Sequence, residues 1–183
     1  MKNNTFKVTF CGIAVALSTV FMLLSYFPYL TYTIPAITGL LTMVIVIEIG
    51  VRWALCAYFA ASVLIFIFAE PESKLMYICL FGYYPIVKAL VERIGKAVPE
   101  WIIKFAVFNA SALTVYYLLA GVFGISTEDF GTLGKYSEYI FLIAGNIVFV
   151  LYDIAISRVS AVYMNLIHPK IKKIMPRLRL KKA

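Results

Sequence analysis

Long apolar stretches separated by short polar breaks dominate the chain, and the length of each stretch predicts its element. A hydrocarbon core of about 30 Å is crossed by roughly 20 helical residues. Six stretches approach that length, at about 8–27, 34–51, 53–70, 75–94, 101–123 and 138–160. Pro28 and residues 29–33 divide the first two, and Pro35 falls where a first-turn proline is tolerated because its missing N–H has no helical partner there. Glu48, Gly50 and Arg52 mark a tight hairpin between the second and third stretches. Glu70, Pro71, Glu72, Ser73 and Lys74 end the third, residues 95–100 with Pro99 end the fourth, and residues 124–137 form the longest connection.

Composition makes the environment explicit. Of 183 residues, 63% are apolar and 14% charged, against about 45–50% and 25% in soluble domains, which excludes a water-soluble globular domain. The expected fold is an all-α integral membrane protein, a six-transmembrane-helix bundle over residues 1–160 followed by a tail over 161–183. Lys2 and Lys7 before the first apolar run give it the look of a signal peptide, but the run is too long for a signal core and no small-residue cleavage site follows. It reads as a retained first span. With the amino terminus inside, fifteen of the 17 Lys and Arg fall on the inner side, leaving only Lys74 and Lys135 outside. That bias requires an even number of spans and both termini cytoplasmic, and it places the chain in the cell (plasma) membrane.

The net charge of +8 is local, since eight bases lie within residues 158–182. It describes a tail and loops, so no nucleic acid is expected as a partner. In the tail, Met164, Ile167, Ile171, Ile174, Met175 and Leu178 recur at helical spacing between Lys170, Lys172, Lys173, Arg177 and Arg179. This is the pattern of a basic amphipathic segment, and anionic lipid of the inner leaflet is its expected contact.

Charges inside spans are costly and mark candidate sites. Glu48, Lys88 and Asp153 are expected to share one inner polar layer, and Glu48 with Arg52, Lys88 with Glu92, and Glu100 with Lys104 stand four apart, where a helix pairs them. Further out, Asn146 precedes Asp153 by seven residues, Tyr77, Tyr84 and Lys88 are spaced by seven and four, and Asn109 precedes Tyr116 by seven. If those faces converge, they line an outer pocket. Interhelical hydrogen bonds and an interfacial aromatic belt are the other reading. The outer loops carry Glu70, Glu72, Glu128, Asp129 and Glu138 against two lysines, a mouth suited to a cationic or zwitterionic solute, although base-poor outer loops are also usual.

Gly12 with Ala16, and Ala57 with Ala61, have the four-residue spacing that lets helix backbones approach in lipid. Both pairs are candidate docking positions for a second membrane subunit, the first pair above all, with Ala14 and Ser18 as a second register. No catalytic set is evident. His168 is the single histidine, so a two-His zinc site is excluded, and Cys11, Cys56 and Cys79 lie in apolar runs as packing residues. Nucleotide-cradling glycine motifs and a nucleophile elbow are absent from the sequence. Neither an enzyme, nor a cofactor, nor a metal site is expected.

Six short spans, both ends inside, small-residue pairs on the first and third helices and a length near 180 residues together resemble the substrate-binding S components of energy-coupling-factor transporters. The resemblance covers the whole chain in layout. It implies capture of a vitamin-like solute from outside, with a transmembrane coupling subunit and ATPases as partners. It also implies a ligand pocket involving Tyr32, Tyr77, Tyr84, Tyr116, Glu138 and Asn146, with Gly12 and Ala16 as the docking pair. The loop over residues 28–33 is short for a lid. A non-transport membrane scaffold, organising an envelope complex through helix contacts and the basic tail, is the alternative.

Overall fold

Proline and glycine set most of the helix boundaries. The computed structural model describes residues 2–27, 29–122 and 137–174, and among them there is no strand. Helix α1 (Lys2–Leu23) ends in a 3₁₀ turn, Leu24–Tyr26. Helix α2 (Thr33–Glu48) and α3 (Val51–Phe68) meet at Gly50, whose φ of +114° is open to glycine and strained for other residues. Pro71 opens α4 (Pro71–Met76), which passes through a π-helical stretch, Tyr77–Phe81, into α5 (Tyr84–Val91) and a 3₁₀ turn, Glu92–Ile94. Gly95, at φ +69°, turns the chain into α6 (Ala97–Val122). Helices α7 (Ser137–Leu166) and α8 (His168–Ile174) complete the fold.

Among the described residues, five segments are long and apolar enough to cross a membrane: Asn4–Tyr26, Val51–Phe68, Pro71–Ile94, Ala97–Leu118 and Leu142–Ile171. Helix α2, expected over 34–51, stops at Glu48 because Gly50 leaves helical space, and its 16 residues give about 24 Å at 1.5 Å per residue. The expected fifth span begins four residues early, at Ala97, and α7 runs past 160 to Leu166. Of the expected tail, residues 175–183 lie outside the described residues, as does most of the 124–137 connection.

Polarity is distributed inside out. Ile13, Phe59, Ile143 and Leu151 are each more than 60% exposed, while Lys88, Lys104 and Asp153 are buried. In water such an arrangement would expose apolar surface and desolvate charge at once, so it suits a lipid surrounding. One core joins α1, α2 and α3 through Cys11, Ala14, Met22, Ile34, Ile45, Ala57, Ala61 and Ile65. A second joins α2, α4, α5, α6 and α7 through Met43, Leu75, Tyr84, Phe108, Val115, Phe149 and Ile156. Helix α2 belongs to both.

The fourth crossing is bent for identifiable reasons. Pro85 has no N–H, so it cannot bond the Phe81 carbonyl one turn back. The Gly82 N–H donates to Tyr77 O at 2.7 Å, closing the wider π turn, and Tyr58 Oη donates to Ile78 O at 2.5 Å. The freed Phe81 carbonyl projects onto α2 at Gly39, where a Cβ would lie 2.6 Å from it and 2.7 Å from Tyr152 Oη. Gly39 therefore lets α2 approach the bent crossing backbone to backbone.

Candidate functional site

The residues with most chemistry meet where α5, α6 and α7 converge. Lys88 follows Tyr84 by one helical turn on α5, so both side chains project to the same side. Lys104 is carried by α6, and because that helix starts at Ala97 it sits two turns in, well away from the helix end. Asp153 faces both from α7. Its Oδ1 accepts from Tyr84 Oη at 2.5 Å and from Lys88 Nζ at 2.5 Å, and Lys104 Nζ stands 3.3 Å from both carboxylate oxygens.

Two further carboxylates complete the junction from the basic end of the bundle. Glu92 Oε1 lies 2.8 Å from Lys88 Nζ and 3.3 Å from Lys104 Nζ, and Glu100 Oε1 lies 2.7 Å from Lys104 Nζ. The pairs Lys88–Glu92 and Glu100–Lys104 thus form at the four-residue spacing read from the sequence. Beside Asp153 the junction is closed by rings. Tyr84 sits edge-on to Phe149, which stacks on Phe108 with centroids 4.4 Å apart. Lys104 Nζ also lies 5.3 Å from the centroid of the Trp101 ring. Chemically, the arrangement holds charge and joins three helices in a medium of low dielectric.

Glu48 stands apart from this group. Its Oε1 accepts from Tyr163 Oη at 2.9 Å and lies 3.0 Å from His168 Nδ1. Tyr163 is ten residues beyond Asp153, about 15 Å along α7, so the single layer expected for Glu48, Lys88 and Asp153 is two separate polar groups. Gly50 also interrupts the helix between Glu48 and Arg52, removing the four-residue register expected to pair them; Arg52 is exposed. Tyr163 and His168 instead tie the last turn of α7 and the start of α8 to the end of α2.

Five of the six residues expected to line an outer pocket lie within the described side chains, and each has its own contacts. Tyr32 donates to Glu72 Oε2 at 2.8 Å; burial and that hydrogen bond push its phenol up to about 12, so it remains a donor at physiological pH. Tyr77 is buried in the first core against Tyr58. Tyr84 lies in the Lys88–Asp153 junction, as its one-turn spacing from Lys88 already required. Tyr116 packs its ring against Tyr117. Glu138 is in the first turn of α7, and its side chain lies outside the described residues.

Asn146 pairs with Asn109 reciprocally, at 3.0 and 2.9 Å. Each amide also donates to its own helix, at Phe105 O and Leu142 O. All four N–H donors are therefore engaged, and the pair is an interhelical clamp. Asn146→Leu should cost about 1 kcal/mol, because it strands the Asn109 amide, whereas Asn109→Leu with Asn146→Leu should restore near-parental stability. Unfolding in mixed detergent micelles measures both.

Ala57 and Ala61, expected as docking positions, are instead buried in the core between α1 and α3, together with Ala14, because the α1 contact already occupies that face, and Ser18 is buried in α1. The second small-residue register of α1 is therefore used within the bundle. Gly12 and Ala16 face outward, with open space around a Cβ placed on Gly12.

Among the described residues, no three His, Cys, Asp or Glu side chains cluster as metal ligands. Lys104 is the principal group that sequence reasoning underrated. Taking the fifth span to start at 101 placed it at the membrane edge as a partner of Glu100 alone. Among the described residues, fold and site together define an all-helical protein with five helices long and apolar enough to cross a membrane and a buried ionic junction. Comparison with protein-family models, curated proteins and solved structures finds no match.

Proposed function

We propose that this chain is a multi-pass protein of the cell membrane that captures a small vitamin-like or cationic solute from outside, energised by a transmembrane coupling subunit and ATPases. In this reading the five long helices and the shorter α2 make six crossings with both termini cytoplasmic, as the fifteen bases on one side require. The chain supplies binding and docking, with no catalytic chemistry of its own, and its basic tail rests on anionic lipid.

The observation that carries the reading is the unequal use of the two small-residue registers on α1. Ala14 and Ser18 are buried within the bundle, while Gly12 and Ala16 remain open on the outward face. Close backbone approach is the main route to helix association in lipid, so an open glycine register is suited to a partner helix. Gly12→Leu with Ala16→Leu should abolish co-purification of ATPase subunits with the tagged protein and leave its unfolding midpoint in detergent within about 1 kcal/mol of the parent. Absence of ATPase subunits from the parental preparation would overturn the reading.

The scaffold alternative is favoured by one specific observation. Asn109 with Asn146, and Tyr84 with Asp153, satisfy one another and offer little to a solute. A thermal-shift screen against vitamins, polyamines and small metabolites separates the two, since a ligand at 100 times its Kd stabilises by about 2.7 kcal/mol. A uniformly flat screen favours the scaffold.

A further inference from the structure

We propose that Lys88 and Lys104 form a phosphate seat at the basic end of the bundle, filled in this structure by the carboxylate of Glu92. Two ammonium groups, on side chains only 5% and 2% exposed, converge on one oxygen, Glu92 Oε1, at 2.8 and 3.3 Å. A single anionic oxygen shared between two lysines is how a phosphate is held by point charges.

The three carboxylates around the lysines differ in how firmly they are placed. Asp153 lies within α7, 4% exposed, and also receives Tyr84. Glu100 is in the first turn of α6 and its side chain is 20% exposed. The Glu92 side chain is 45% exposed and stands on the single turn Glu92–Ile94, ended by Gly95 in the left-handed region. Glu92 is thus the counter-charge that can swing away by rearranging one short turn. With it gone, Asp153 and Glu100 balance the two lysines, and a singly charged phosphate restores the one negative charge in excess that Glu92 supplies.

One feature favours phosphate over a monovalent anion: its oxygens can span two ammoniums while keeping others for solvent. Arg93 and Lys96, exposed on the same connection, steer anions toward the seat. Of the groups at the seat, Glu92 is the one that reaches furthest to the surface, 45% exposed, so soluble phosphate compounds and lipid phosphate headgroups both have access to its place. The proposal is independent of the solute-capture reading.

The test is thermal unfolding of the full-length protein in detergent, titrated with inorganic phosphate at constant ionic strength set by chloride. Glu92→Gln should bind inorganic phosphate with a Kd about tenfold lower than the parent, because the internal competitor is lost. Glu92→Asp, whose shorter arm reaches the lysines less well, should fall between them and serves if Glu92→Gln does not fold. Adding Arg93→Gln and Lys96→Gln should change the Kd by less than about threefold, since these exposed bases only steer.

Equal phosphate responses in the parent and both Glu92 variants would overturn the proposal, as would loss of the response on removing Arg93 and Lys96. Reconstitution into phosphatidylcholine vesicles with and without phosphatidic acid identifies the source. Stabilisation by phosphatidic acid assigns the seat to a lipid headgroup, and a response confined to inorganic phosphate assigns it to a soluble ligand. No lysine is removed in these variants, so Asp153 keeps its partners throughout.

Discussion

Asp153→Ala should lower the unfolding free energy by about 3 kcal/mol, read as the shift of the unfolding transition in mixed detergent micelles. Removing one partner of a buried ion pair costs about 3–5 kcal/mol because the opposite charge is left desolvated. The lower end applies here, since Lys88 keeps Glu92 and Lys104 keeps Glu92 and Glu100. Tyr84 Oη also loses its acceptor. Asp153→Asn, which retains an acceptor for Tyr84 while losing the charge, should lie between the parent and Asp153→Ala. Replacing the group as a whole, with Asp153→Leu, Lys88→Met and Lys104→Met, should recover much of the loss, because well-packed apolar residues avoid the desolvation penalty. Failure of that triple variant to recover would mean that the junction contributes specificity of helix arrangement beyond its ion pairs.

The second large effect is expected at Gly39. In an unobstructed helix, alanine is favoured over glycine by about 1 kcal/mol, so the direction of the change diagnoses the local packing. A Cβ at this position would stand 2.6 Å from the Phe81 carbonyl oxygen, a backbone atom, and 2.7 Å from Tyr152 Oη, which donates to Ala36 O. Gly39→Ala should therefore destabilise by about 1–3 kcal/mol, as overpacking does, and Gly39→Val by more. Tyr152→Phe removes one of the two obstructing atoms at the cost of a weak 3.3 Å hydrogen bond. Combined with Gly39→Ala it should recover part of the loss, and the coupling in that double-mutant cycle measures the contact. A stabilised Gly39→Ala variant would show that α2 and the bent crossing are further apart.

These two sites also mark how far the amino-acid sequence can be read unaided. The apolar runs were legible because each helix must present hydrocarbon to lipid regardless of its neighbours, and Pro71, Pro85 and Gly50 punctuate the chain by local sterics. The pairs Lys88–Glu92 and Glu100–Lys104 were legible for the same reason, since both partners share a helix. The convergence on Asp153 depends on the rotation of α5, α6 and α7 about their axes, which no single segment encodes. The pairing of Glu48 followed the same pattern. Its local partner was removed by a break at Gly50, and Tyr163 and His168, more than a hundred residues away, took its place. The different surroundings of Tyr77 and Tyr84 have a simple origin too: a seven-residue spacing aligns side chains on one regular helix, while the bend at Tyr77–Phe81 rotates one half of that crossing against the other.

Helix α2 is shorter than α1, α3, α6 and α7, yet it contacts α1, α3, α5 and α7, so its length is matched to protein and need not match the bilayer. The bundle is built as a hub lower than its rim, with residues 29–32 above the hub and the Glu48–His168 contact beneath it. Thickness of the surrounding bilayer is therefore sensed by the outer helices alone, and changing lipid chain length should tilt those helices while the register of α2 against Phe81 and Tyr152 stays fixed.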